Sequence, residues 1–265
     1  MKVSIVVPVY NSALMLKELI HRISKTMDSI DLKNDFELIL INDFSSDNSW
    51  SVIEGLILHN SFIKGINLTD NFGQHNAIMA GFNNCEGDFI ITIDDDLQHQ
   101  PEFIPDILKT LREFDKDVCY TNYKNRKHIG WKRLVSNLNN IVSSFILNKP
   151  LEIYMSSYRG LTKKLKTEIV NYKQSNVYID GLIITHAKKI GMINIDHEAR
   201  KYGESNYNLK KLFILWSNMF LNFSFFPFRA ASIFGIVVKF IVKSVRKKNN
   251  KPQYEISEIK SNNEQ

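Results

Sequence analysis

The sequence predicts an α/β fold, a mostly parallel sheet flanked by helices, with an amphipathic helical segment toward the C-terminus. Three observations predict it. Short β-branched runs alternate with helically spaced apolar residues through the first half of the 265-residue chain. The runs are continuous rather than alternating, as in strands buried on both faces. A hydrophobic content of 44% supplies enough material for a substantial core. Strands joined through helices pair in parallel by right-handed crossovers.

The elements follow in order. Val3 to Val7 is a β-branched run and the first strand. Asn11 to Ile23 carries Leu14, Leu16, Leu19, Ile20 and Ile23 at helical spacing, with Asn11 or Ser12 as cap. Phe36 to Ile41 is the second strand, and Asp47 caps a helix holding Val52, Ile53, Leu56 and Ile57. Phe62 to Leu68 is the third strand and His75 to Phe82 the next helix. Phe89 to Ile93 is the fourth strand, Pro101 to Phe114 a helix with proline in its first turn, and Val118 to Thr121 the fifth strand. In the second half, Gly130 to Leu147 reads as an amphipathic helix and Ser156 to Leu161 as a short strand leading into a helix. Val177 to Lys188 reads as helix, Met192 to Ile195 as strand and Arg200 to Tyr207 as loop. Leu209 to Phe228 is strongly aromatic, and Ala230 to Val245 is apolar with lysines. From Lys247 the chain is polar and reads as disordered.

The balance of 34 Lys and Arg against 28 Asp and Glu gives a net charge of +6, which suits an anionic partner. The charge is concentrated late, where Lys239, Lys243, Arg246, Lys247, Lys248 and Lys251 occur without an acid between them. No nucleic-acid-binding motif accompanies it, so phosphorylated substrates and an anionic membrane surface are the expected partners, not nucleic acid. Cys85 and Cys119 are far apart and form no C-x-x-C pair, which argues against a disulfide framework or a zinc site and fits a reducing compartment. The apolar run at Met1 to Pro8 is too short for a signal peptide and reads as a strand.

In open parallel sheets, ligands bind beyond the carboxyl ends of the strands. Polar clusters stand at each such end: Pro8, Tyr10 and Asn11; Asn42, Asp43 and Asp47; Asp70, Asn71 and Gly73; and Asp94-Asp95-Asp96-Leu97-Gln98. The acidic triplet is the sharpest of them. Three adjacent carboxylates repel one another unless a cation compensates. Asp94 and Asp96 alternate to one side of an extended chain, and Gln98 continues that side with a neutral oxygen. An oxygen-only donor set selects a hard divalent ion, Mg²⁺ or Mn²⁺. In isolation such a triplet reads as a solvated turn; its place after a buried strand favours the metal. Asp43 reads equally as a base or ribose contact and as a turn cap. Arg159 and Arg200 are the candidate anion contacts, since guanidinium matches phosphate oxygens bidentately. His75 and His99 read as surface or capping residues, because no second histidine stands at ligand spacing.

At these residues the chain resembles glycosyltransferase family 2, and within it the dolichol- and undecaprenyl-phosphate sugar transferases. The segments that carry the resemblance are Ile5 to Asn11, Asn71 to Phe82, Gly87 to Glu102, and Arg200 with Tyr202-Gly203-Glu204-Ser205 and Tyr207. The resemblance implies the Rossmann-like GT-A fold and an inverting transfer from a nucleotide-sugar donor to a polyprenyl phosphate. It implies that Pro8, Tyr10, Asn11, Asp43, Asn71, Gly73, Asp94 and Asp95 hold the nucleotide-sugar. Asp94, Asp96 and Gln98 would hold the metal, and Asp96, Arg159 and Arg200 would act at the reacting phosphates. A catalytic unit over 1–208 would divide into a nucleotide-binding half to 121 and an acceptor half from 122. A membrane-associated segment over 209–246 and a polar tail over 247–265 would follow.

The chain also departs from the family. Asn42 and Asp43 stand where two acids are usual, followed by Phe44 where glycine is usual; Ile153 replaces an acid, and Asn206 a lysine. The apolar segment from Ala230 is short of the roughly 20 residues that span a bilayer and reads as interfacial, which places the protein at the cytoplasmic face of a membrane. Asp180 stands where the lipid-phosphate enzymes tend to have a basic residue. It is a helix cap, or the general base for a different acceptor, the hydroxyl of a lipid-linked or surface glycan. A non-catalytic nucleotide-binding module tethered to the membrane is the alternative from another class. The sequence leaves oligomeric state open, a homo-oligomer included.

Overall fold

The computed structural model describes residues 1–123, 144, 149–175, 177–195 and 252–262. Eight strands form one sheet in the order β7-β5-β6-β4-β1-β2-β3-β8. They are β1 (Val3–Val9), β2 (Phe36–Asn42), β3 (Ile63–Leu68), β4 (Phe89–Thr92), β5 (Val118–Tyr123), β6 (Arg159–Thr162), β7 (Ile190–Ile195) and β8 (Ile256–Ser261). The pairs β1–β2, β1–β4, β2–β3 and β5–β7 are parallel, whereas β6 runs antiparallel to β4 and β5, and β8 antiparallel to β3. The expected mostly parallel sheet is therefore present, with two reversed strands.

The helices are α1 (Ala13–Asp28), α2 (Ser49–His59), α3 (Gln74–Asn83), α4 (Ile104–Glu113, after a 3-10 turn at Pro101–Phe103), α5 (Lys163–Val170) and α6 (Ile179–His186). They cover both faces, which is why β1 is buried along its whole length. On one face, Val3, Ile5, Val7 and Val9 of β1 pack with Leu16, Leu19, Ile53, Ile107 and Leu111 of α1, α2 and α4. On the other, Val6 packs with Ile39, Ala77, Phe82, Leu165 and Ile183, beneath α3, α5 and α6. Helix α3 packs tightly because Gly81 faces the sheet. A Cβ there would lie 2.4 Å from Val6 Cγ1 and 2.9 Å from Ile41 Cδ1. Gly81→Ala therefore overpacks this core and lowers unfolding stability by about 1–3 kcal/mol in a denaturant titration; an unchanged midpoint would contradict so close an approach.

One expectation is corrected. The tail from 247 is expected to be disordered, but Ile256–Ser261 is a strand antiparallel to β3, paired from Lys64↔Ser261 to Leu68↔Ile256 with a register shift between Asn67 and Leu68. The reason is physical. β3 would otherwise end the sheet with unpaired backbone groups, and an edge pairing satisfies them whatever the side chains are. The side chains add to it: Tyr254 and Ile256 pack on the second core, and Lys260 pairs with Glu54 and lies 5.8 Å from the Trp50 ring centroid. The expected helix at Gly130 to Leu147, the loop with Arg200, the aromatic stretch Leu209 to Phe228 and the segment Ala230 to Val245 lie outside the described residues, Ser144 apart. Among the described residues, no helix is long and apolar enough to cross a membrane.

Candidate active site

The strand order reverses between β1 and β4, since β2 and β3 build away on one side and β6 on the other. A crevice opens at such a switch point, beyond the carboxyl ends of the parallel strands. The structure has a cleft of about 360 Å³ there, lined by Pro8, Val9, Tyr10, Asp43, Asn71, Gly73, Gln74, Asp94, Asp95 and Asp96. The polar clusters after β1, β2, β3 and β4 thus converge as expected. Asn11 and Gln98 stand beside this lining rather than in it.

The loops are locked to one another by side-chain hydrogen bonds. Asn11 N–H donates to Ser45 Oγ at 3.0 Å, and Ser46 N–H to Asn11 Oδ1 at 2.8 Å. Asp47 accepts from Ala13 N–H at 3.1 Å and from Ser49 N–H at 2.9 Å, so one carboxylate caps the first turns of both α1 and α2. Ser12, expected as a cap of α1, instead donates its hydroxyl to Asp95 Oδ2 at 2.5 Å. The same Asp95 oxygen accepts Tyr10 N–H at 2.9 Å. Asp95 therefore ties the fourth-strand loop to the first, and burial pushes its carboxyl up to about 7. Asp43 plays the corresponding part between the second and third loops. Its two oxygens accept Phe72 N–H at 2.8 Å and Gly73 N–H at 2.9 Å, and burial raises its carboxyl above the usual range.

Asp94 is the best-supported acid of the triplet. Gln74 Nε2 donates to its Oδ1 at 2.7 Å, and Ser157 Oγ to its Oδ2 at 2.6 Å, while His99 Nε2 stands 3.1 Å from Oδ2. Burial alone would raise Asp94, but the bonds from His99 and Ser157 and the nearby Arg159 charge hold it below the ordinary value, ionised. Asp96 is buried, and its Oδ1 accepts the Gln98 N–H at 3.1 Å. His99 is only 7% exposed, so its expected place at the surface is corrected: it orients Asp94. His75 is likewise drawn inward. Its ring meets Tyr178 edge-on at 5.3 Å, its Nδ1 is shielded and finds no hydrogen-bond partner among the described residues, and burial pulls it down to about 4, leaving it neutral.

Arg159 and Asp180 meet each other. Arg159 is 1% exposed, its Nη1 is bonded to Asp180 Oδ1, and that oxygen also accepts the Tyr120 hydroxyl at 3.1 Å. The anion-contact and general-base readings of these two residues both meet the same obstacle: each is the other's buried counter-ion. Asp180, expected as a base or cap, has its carboxylate engaged by the Arg159 guanidinium and the Tyr120 hydroxyl. The contact of Ser157 was not legible in advance, because it depends on β6 entering antiparallel to β4, with Arg159 opposite Thr92; those of Gln74 and His99 depend on how the third and fourth loops fold against each other.

Electrostatically the cleft is acidic. Among the described residues, four aspartates line it and no lysine or arginine does. Among the described residues, no three acidic, histidine or cysteine side chains converge to enclose a metal ion. The two carboxylates of Asp94 and Asp96 fit a hard cation that keeps other oxygens in its shell, as Mg²⁺ and Mn²⁺ do.

The model of Glycosyl transferase family 2 matches residues 4–172. The chain is 33% identical over 238 residues to an undecaprenyl-phosphate 4-deoxy-4-formamido-L-arabinose transferase of Proteus mirabilis (strain HI4320), covering 89% of this chain and 72% of that protein. A protein of the same name from Enterobacter sp. (strain 638) is 34% identical with the same coverage. Among solved structures, glucosyl-3-phosphoglycerate synthase from Mycobacterium tuberculosis, in complex with Mn²⁺, UDP and phosphoglyceric acid, superposes with a TM-score of 0.60 at 17% identity, over 82% of this chain and 77% of that one. Residues 1–349 of S. aureus TarS in complex with UDP-GlcNAc superpose with a TM-score of 0.56 at 20% identity, over 86% and 68%; of the longer TarS chain this protein spans 41%. These likenesses show the fold.

Proposed function

The chain belongs to glycosyl transferase family 2, and from that membership we propose that it moves a sugar from a nucleoside-diphosphate donor to the phosphate of a polyprenyl carrier. The reaction inverts the anomeric carbon and takes place at the cytoplasmic face of a membrane. The single observation that carries this reading is a switch-point cleft lined, among the described residues, by four aspartates and by no basic side chain. Such a cleft repels a free diphosphate and accepts one only together with a cation. Relatives named for undecaprenyl-phosphate transfer, at about a third identity across most of the chain, support the acceptor class.

Asp94 and Asp96 would hold Mg²⁺ or Mn²⁺, which when bound would supply positive charge to offset that of the departing diphosphate. The chain's own residues do the rest. Gln74, Ser157 and His99 hold Asp94 in place and ionised. Asp95 fixes the backbone of Tyr10, and Asp43 fixes Phe72 and Gly73, so the walls that receive the nucleotide are set before it arrives. A phosphate acceptor has a second pKa of about 6 and arrives largely deprotonated, so it needs little help from a base. That matches a site in which Asp180 is engaged by Arg159 and Tyr120. Arg159 contributes its charge from behind Asp94, and Arg200 is assigned to the acceptor phosphate. The basic run Lys239 to Lys251 is assigned to anionic headgroups.

The test is to incubate the protein with Mn²⁺ and a panel of nucleotide-sugars, with and without polyprenyl phosphate, and to weigh the products. The expected product is one sugar joined to the lipid phosphate. Transfer only to a glycan hydroxyl, or no transfer from any donor, would contradict the proposal.

A further inference from the structure

Phe44 breaks two local rules at once. Its φ is +57°, in the left-handed region that a bulky side chain occupies at a cost. Its ring is 56% exposed, so no burial in the core offsets that cost. The residues on either side are held fast. Asp43 is bonded through both oxygens to the third loop, and Ser45 and Ser46 are bonded to Asn11 of the first. The loop is thereby pinned at both ends, and Phe44 follows directly on Asp43 of the cleft wall without itself lining it. Tyr10 stands in the adjoining wall and is 47% exposed. Two exposed aromatic residues thus stand on the first two loops of one polar cleft, Tyr10 in its lining and Phe44 next in sequence to the lining residue Asp43.

We propose that Phe44 is a nucleobase-contacting residue, its ring and that of Tyr10 taking the flat faces of the donor's base where the base enters beside Asp43. The proposal rests on the reading of this cleft as a nucleotide-sugar site and adds a contact to it. Aromatic rings stack on any base, because every base presents a π-face. Phe44 therefore adds affinity for the base, while the choice among bases falls to hydrogen-bonding groups such as Asp43. The strained backbone is then the means of aiming the ring: a relaxed residue here would turn its side chain elsewhere.

The test uses the full chain and three variants. Phe44→Gly and Phe44→Asn suit the left-handed backbone and remove the ring; Phe44→Tyr keeps the ring. Calorimetry with Mn²⁺ measures the affinity for uridine, cytidine, thymidine, adenosine and guanosine diphosphates, and for inorganic pyrophosphate, which has no base. The expected result is that glycine and asparagine weaken the best-bound nucleoside diphosphate by about tenfold, the loss of one stacked face. Tyrosine holds the affinity, pyrophosphate binds all four proteins equally, and the melting temperature of the glycine and asparagine variants does not fall. Equal nucleotide affinity in all four would overturn the proposal. So would a parallel loss of pyrophosphate binding, which would mark a distorted cleft. Unchanged nucleotide affinity with weakened adsorption to phosphatidylglycerol vesicles would overturn it in favour of a lipid-facing lip. Failure of the wild-type chain to bind any nucleoside diphosphate would remove the cleft reading itself, and the proposal with it.

Discussion

Asp96→Ala is expected to lower sugar transfer at least a thousandfold while the protein melts where the wild type does. Asp96 is one of two cleft carboxylates that fit a hard cation, and charge stabilisation of a leaving diphosphate by such a cation is worth several kcal/mol. At about 1.36 kcal/mol per tenfold, that is three decades or more of rate. The stability side is different. The substitution removes the hydrogen bond from the Gln98 N–H, and such a bond is worth about 0.5–1.5 kcal/mol. It also removes one of four clustered carboxylates, which relieves repulsion. The two effects oppose each other and leave the fold near its starting stability. The check is a product assay by mass together with a thermal melt. More than a tenth of wild-type turnover in a folded Asp96→Ala protein would refute the role given to this acid.

Arg159→Ala is expected to have the largest effect on stability. Arg159 is 1% exposed and its ion pair with Asp180 is enclosed. Burying two charges costs several kcal/mol, and the pair repays this only while both partners are present. Removing one leaves a buried, uncompensated carboxylate and costs about 3–5 kcal/mol. For a chain of this size that is a fall in melting temperature on the order of 10 °C. Asp180→Asn should also destabilise, because it leaves the guanidinium without its counter-ion, and replacing both by leucine should recover part of the loss. The series separates two roles. A general base would show as an Asp180→Asn protein that melts normally and has lost transfer. A counter-ion shows as lost stability, recovered in the double variant.

Much of this arrangement was legible in the residues, and what was not has a common cause. β1 to β5 declare themselves by their continuous apolar runs, because strands covered on both faces carry no polar alternation. The carboxyl-end rule then gathers Tyr10, Asp43, Gly73 and Asp94 at one crevice without any contact being known. Local pattern does not say how the three acids of one triplet divide their work. Asp94 faces Gln74, Ser157 and His99, whereas Asp95 faces back to Tyr10 and Ser12. All of those partners but His99 lie on other loops, and the distinction belongs to the register of β4 with β6 and to the locking of loops across the cleft. Asp180 was ambiguous for the same reason, since its partners Arg159 and Tyr120 come from two other strands. The strand at Ile256–Ser261 was hidden differently. Its sequence is polar, and the reason it orders is an open edge on β3, which is a property of the sheet and not of the segment.

The central claim, that Asp94 and Asp96 seat a divalent cation shared with the donor's diphosphate, is tested most directly by thermodynamic linkage. The best-bound nucleoside diphosphate should be titrated into the wild-type protein and into Asp96→Asn, each in Mn²⁺ and in excess chelator, and free Mn²⁺ should be followed in parallel by electron paramagnetic resonance. The account predicts that in the wild type each ligand tightens the other by the same factor. It further predicts that chelation weakens the nucleotide and that Asp96→Asn loses the mutual effect. Equal nucleotide affinity with metal and with chelator, in both proteins, would contradict it.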